Sequence, residues 1–199
     1  LLGKVFGVLV TDRLGSYNWW PTEWRQICWA HIKRHFEKFI DVGGEAARIG
    51  MALQAERRQL FRWWRRVRDG TLSYPTFRRY VAPLRMRVRQ LLLEGGACSH
   101  KKTAGTCLEL LKLEPAMWTF VRIVGVEPTN NASEQSLRCA VIWRKLCFGT
   151  HSQAGSRFAE RMLTVTTSLR QQKRCVLDYL SDALQAKIEN RSAPSLIPA

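Results

Sequence analysis

The chain has 199 residues, with 32 Lys and Arg against 16 Asp and Glu, for a formal charge of +16. Hydrophobic residues make up 46% of it, which excludes a disordered basic tail. That length suits one fair-sized domain, or a core with an insertion, and the charge excess on a folded surface favours a polyanionic partner such as nucleic acid.

In chain order, the run Val5 to Val10 is apolar on both faces, as expected of a central strand. The chain opens on Leu1 and reaches this strand with no linker or cap before it, so the sequence is expected to begin inside a domain. The strand ends at Thr11-Asp12, and a turn rich in small and aromatic residues, Gly15 to Pro21, follows. A second apolar run, Ile27 to Ala30, leads into a helix with Ile32, Phe36, Phe39 and Ile40 on one face, stopped by Gly43-Gly44. Strand, turn, strand and helix are the ingredients of an α/β sheet.

From residue 45 to 122 the period is helical. Leu53, Leu60, Trp64 and Val67 form one stripe, and Phe77, Tyr80, Val81, Leu84, Val88 and Leu91 form another, with a kink or restart expected at Pro83. Residues 51–90 hold eleven arginines, no lysine and two acids, a net of +9. Arginine pairs bidentately with phosphate, so this segment is read as binding the phosphate backbone, with Trp64 in the core. A Pro-punctuated loop, Val126 to Asn131, precedes a helix from about Ala132. A loop from Gly149 to Gly155 precedes a long helix carrying Phe158, Met162, Val165 and Leu169 on one face. A last helix carries Val176, Leu177, Leu180 and Leu184 before a tail rich in Ser and Pro, expected to be disordered. The six cysteines form no C-x-x-C pair, which fits a reducing cytoplasm, and no stretch approaches the roughly 20 apolar residues of a membrane span.

Three groups of residues invite chemistry. Asp12 stands at the C-terminal end of a buried-type strand, where α/β sheets gather ligands, although an aspartate there also serves as an ordinary turn former. Glu134 falls three residues after Asn131, which gives a capping box; the functional alternative is a carboxylate that shares a divalent cation with Asp12. Cys28, His31 and His35 have zinc-like spacing but no evident fourth ligand, so a packed thiol with polar helix histidines is preferred, with His31 able to approach the Asp12 crevice.

Four stretches resemble one family. T-D-R-L-G-S-Y-N at 11–18, C-W-A-H-I-K-R-H-F at 28–36, E-P-T-N-N-A-S-E-Q-S-L-R at 127–138 with W-R-K-L-C-F-G-T at 143–150, and G-S-R-F-A-E-R at 155–161 look like the transposases of bacterial insertion-sequence family sixty-six. The likeness runs in order from about Val5 to Leu184. It implies an α/β RNase H-like core, incomplete at its N-terminus here, with a large all-helical insertion, mostly helical overall. The core would span 1–44 and 123–190, the insertion 45–122, and the tail 191–199. By resemblance, Asp12 matches the second and Glu134 the third of three carboxylates that bind two Mg²⁺ ions for phosphoryl transfer on DNA. Asn130, Asn131 and Arg138 match positions beside the catalytic glutamate, and Arg138 could brace Glu134 or a phosphate. Cys28, Trp29 and His31 match the C-W-A-H motif, with a core or supporting role. DNA would be held by Arg57, Arg58, Arg62, Arg65, Arg66, Arg78, Arg79, Arg144 and Lys145.

The family's first aspartate lies on an earlier strand, and no acid precedes Asp12 in this sequence. The chain is therefore expected to bind insertion-element ends and target DNA without efficient cleavage, to hold Mg²⁺ weakly, and to work in the bacterial nucleoid without a membrane partner. It is also expected to pair with itself or with a full-length transposase. The competing reading is a non-enzymatic basic DNA- or RNA-binding module that modulates transposition.

Overall fold

The computed structural model describes residues 7–197. Val5 and Phe6, the start of the expected first strand, lie outside them. The chain divides into two compact units, Leu1–Asn131 and Ala132–Ala199.

In the first unit, β1 (Leu9–Thr11) pairs in parallel with β2 (Arg25–Ile27), in the register Leu9 to Arg25, Val10 to Gln26 and Thr11 to Ile27. The connection between them passes through two short 3-10 turns, Gly15–Tyr17 and Thr22–Trp24. These are the two strands among the described residues. The apolar run Ile27 to Ala30, expected to form the second strand, is split: Ile27 closes β2 and Trp29 opens α1 (Trp29–Val42). The strand instead reaches back into Arg25 and Gln26, whose polarity hides it from a hydrophobic pattern although both are fully buried. Burial of such groups is tolerable only because each is hydrogen-bonded.

Helices dominate the rest of this unit. Gly43, at φ +85°, turns the chain between α1 and α2 (Gly44–Arg68), a conformation that costs little only without a Cβ. Ser73 caps α3 (Tyr74–Gly96) by accepting a bond from the Thr76 amide, with Pro75 in the first turn. Of the kink or restart expected at Pro83, there is no restart: one helix runs through it. The Nδ1 of His100 accepts from the Thr103 amide at the start of α4 (Lys101–Lys112), and two single turns, α5 (Glu114–Met117) and α6 (Thr119–Arg122), follow. Helices α1 to α4 pack each against the next. The predicted stripes supply much of the core: Leu53, Leu60, Trp64, Phe77, Val81, Leu84 and Val88 are buried and Val67 and Leu91 partly so, whereas Tyr80 is exposed. Trp64 meets Phe77 at 5.6 Å and Phe120 edge-on at 5.2 Å between ring centroids, contacts worth about 0.5–1.5 kcal/mol each beyond the area they bury.

The second unit contains α7 (Asn131–Leu146, its first residue contributed by the other unit), α8 (Gln153–Gln171) and α9 (Val176–Ile188). Its buried apolar residues among the described ones are Ala159, Leu169 and Ala186, whereas Phe158, on the same predicted face as Leu169, is 65% exposed. Residues 191–197 form no helix or strand. Where composition suggests a free tail, side chains of Gln172, Arg174 and Tyr179 donate to the carbonyls of Leu196, Ser195 and Pro194.

Candidate functional site at the strand edge

Because β1 and β2 are parallel, their C-terminal ends lie side by side, and three of the quoted motifs meet there. The Cys28 amide donates to the Thr11 carbonyl at 2.7 Å, joining the end of β2 to the residue before Asp12. The Trp29 amide, at the first turn of α1, donates to the Pro128 carbonyl at 2.9 Å. The T-D, C-W-A-H and E-P-T-N segments thus share one edge of the first unit.

Asp12 follows β1 directly and is partly buried. Its Oδ1 accepts the Leu14 amide at 3.0 Å, the local bond of an Asx turn, so the turn-forming role anticipated for it is present. Beneath it lies Arg25, 0% exposed. Its Nε donates to Thr11 Oγ1 at 2.9 Å, one terminal nitrogen to the Asp12 carbonyl at 3.0 Å, and the other to Tyr17 O and Asn18 Oδ1 at 3.3 and 3.2 Å. Burial lowers the affinity of this guanidinium for its proton, and the negative charge of Asp12 opposes that shift. One cation therefore gathers the whole turn that presents Asp12.

The opposite side of β2 is clamped to the end of the helical region. Thr119 Oγ1 donates to the Arg25 carbonyl at 2.6 Å, Gln26 Oε1 accepts the Phe120 amide at 2.8 Å, and Trp29 Nε1 donates to Met117 O at 2.8 Å. Sequence reading assigned no role to Arg25, Gln26 or Thr119. No periodicity marks them, since each is a polar residue whose partner lies far along the chain.

Cys28 is fully buried at the start of α1, and His31 is partly buried in its first turn. His35 faces α4, where burial, with Arg13, Lys38 and His31 nearby, pulls its pKa down to about 4. Arg13 pairs with Glu109 of α4. Among the described residues, no group of three or more His, Cys, Asp or Glu is placed to hold a metal ion. Two hard oxygens lie on these segments. Asp12 keeps its second carboxylate oxygen without a hydrogen-bond partner among the described residues. Two residues beyond Pro128, the Asn130 Oδ1 is buried and equally unpartnered. Such oxygens suit Mg²⁺, which takes one or two carboxylates and completes its shell with water and phosphate.

Glu134 and Arg138 are exposed on α7, with Glu134 in its first turn; Arg144 and Lys145 are exposed in its last turn, where cations also suit the helix dipole. These four belong to the second unit, and Asp12, His31, Asn130 and Asn131 to the first.

The arginines divide by what holds them. Arg57 bonds Gln54 Oε1 at 2.7 Å and lies over the Phe61 ring, and burial lowers its pKa. Arg66 reaches the Thr71 carbonyl at 3.3 Å across the turn between α2 and α3. Arg85 and Arg87 form two-bond pairs with Glu114 and Glu56. Arg58, Arg62, Arg65, Arg68, Arg78, Arg79 and Arg89 are exposed, and no carboxylate pairs with them among the described residues.

A parallel strand pair is followed directly by an aspartate, and the helical region joined to it is rich in exposed arginines that no carboxylate pairs with among the described residues. A family model described as "Transposase IS66 family" matches residues 1–158. The chain belongs to that family of transposases. No curated protein and no solved structure matches it.

Proposed function

We propose that this chain handles DNA in transposition, with Asp12 and Glu134 as acidic Mg²⁺ ligands of an RNase H-like core and the exposed arginines of α2 and α3 as its grip on insertion-element ends and target. On this reading residues 1–44 and 123–190 belong to the core, 45–122 form an inserted DNA-holding region, and 191–199 trail it. Asn130, Asn131, Arg138 and His31 support the acidic residues; Arg57 and Arg66 order the arginine-bearing helices; and Arg144 and Lys145 add phosphate contacts. The protein works on nucleoid DNA, paired with a second transposase copy.

The observation that carries this is the meeting of the T-D, C-W-A-H and E-P-T-N segments at one strand edge, within a chain of a transposase family. Bound there, Mg²⁺ would supply the positive charge that polarises a phosphodiester and favours an attacking oxygen. The chain's own residues do the positioning. Arg25 fixes the turn, the Leu14 amide orients one oxygen of Asp12 and leaves the other available, and the buried Asn130 oxygen offers a neutral donor.

The test is fluorescence anisotropy of the purified chain with a labelled insertion-end duplex, in Mg²⁺ and in EDTA. The native chain is expected to bind in both and more tightly in Mg²⁺. Asp12→Asn and Glu134→Gln should each raise the Mg²⁺ needed for that gain by about tenfold or more, with binding in EDTA unchanged. If Glu134→Gln matches the native chain under both conditions, the carboxylate only caps α7 and the non-enzymatic module stands.

A further inference from the structure

A second feature of the first unit is unlike the exposed arginine face. α3, α5 and α6 enclose a cleft of about 570 Å³, rimmed by Arg78, Arg85, Arg89 and Arg122. Glu114 is the acid in its lining; it is buried and fully engaged by Arg85 in two bonds of 2.6 and 2.7 Å. Arg122 is held by the Glu23 carbonyl at 2.9 Å and Thr119 Oγ1 at 3.1 Å, which fix its guanidinium without neutralising it. Arg78 and Arg89 are exposed, and no carboxylate pairs with them among the described residues. The cleft therefore carries three uncompensated cations. Its floor and wall are apolar: Ala82, Met86, Trp118 and Val121 line it, and Met86 is 64% exposed, an adaptable side chain at the mouth.

The two halves of this lining want different things. Arginines want phosphate; an apolar recess wants a flat or aliphatic surface that displaces water from it. A DNA duplex offers the first but not the second, because its phosphates lie outside and its bases are stacked within. An unpaired nucleotide offers both, and the volume is that of a small-ligand site. We propose that this cleft takes an unpaired nucleotide of a DNA strand, its base or sugar against Ala82, Met86 and Val121 and its phosphate on Arg78, Arg89 and Arg122. The proposal rests on the DNA-binding reading above and adds a preference that the exposed arginines alone would not give.

The test separates the two. The full chain is titrated by anisotropy against a labelled oligothymidylate of about 15 nucleotides and against a duplex of the same length, at one low salt concentration. Ala82→Trp fills the recess from an exposed helix position without changing charge. It is expected to weaken oligothymidylate binding about fivefold, the low end for one lost base contact, and to leave duplex affinity unchanged. Arg58→Gln, outside the cleft, should weaken both alike. Thermal melting confirms that Ala82→Trp is folded; if it is not, Arg89→Gln decides, and must weaken the single strand more than the duplex. Equal losses on both probes, or no loss on either, overturn the cleft while leaving DNA binding intact. A native chain that binds neither probe overturns DNA binding and the cleft with it.

Discussion

At the residue scale the decisive side chain at the strand edge is Arg25. Five donors on a rigid fork let one buried group serve Thr11 Oγ1, the Asp12 carbonyl, Tyr17 O and Asn18 Oδ1 together. Arg25→Lys keeps the charge but loses the fork, so some of these acceptors lose their partner. The expected loss is about 2–4 kcal/mol of stability, read from urea unfolding, and Mg²⁺-dependent DNA binding should fall with it because the turn carrying Asp12 loosens. A Lys variant as stable as the native chain would show that the turn holds itself. Asp12 was legible in the sequence because a strand end followed by Asp is a local signal. Arg25 was not, since nothing in R-Q-I-C distinguishes a buried cation from a surface one until the partners at positions 11 to 18 are in place.

At the element scale, the amphipathic stripes predicted most of the helical core, since Leu53, Leu60, Trp64, Phe77 and Val81 are buried, although Tyr80 of the second stripe is exposed. Period alone gave no warning of how closely α1 and α2 approach. A Cβ at Gly50 would lie 2.8 Å from the Phe36 carbonyl oxygen and 2.9 Å from the Phe39 Cβ, contacts that require helix movement. Gly50→Ala gains about 1 kcal/mol in helix propensity and loses about 1–3 kcal/mol to overpacking, so the net expectation is a destabilised chain with a lower urea midpoint. A raised midpoint would mean that the pair separates at little cost. The unbroken α3 teaches a related lesson: Pro83 removes one backbone bond, but Val81, Leu84 and Val88 anchor the helix on both sides of it. The second strand was misplaced for the converse reason, its polar residues being buried by distant partners rather than by pattern.

At the scale of the whole molecule, the +16 charge is not spread evenly, and five of the arginines exposed on α2 and α3 without a carboxylate partner among the described residues set the expected salt response. With Arg58, Arg62, Arg65, Arg78 and Arg79 each on a phosphate, log affinity for duplex DNA should fall against log salt with a slope of about −4 to −5, a loss of about 10²–10³-fold between about 50 and 200 mM. Replacing Arg58 and Arg62 by Gln should reduce that slope by about 2; an unchanged slope would place the grip elsewhere. The bond from Thr119 to the Arg25 carbonyl joins residues 94 apart and closes the entire helical region into a ring at the strand edge. Closing a flexible chain of that length costs about 4 kcal/mol in entropy, a cost that neighbouring helices reduce once they have paired. The edge that presents Asp12 is thus a latch that holds only while the helices are folded. Any ligand that binds those helices in their folded form tightens the latch through the same equilibrium, so on the proposed function DNA held by α2 and α3 would steady the Asp12 turn from a distance.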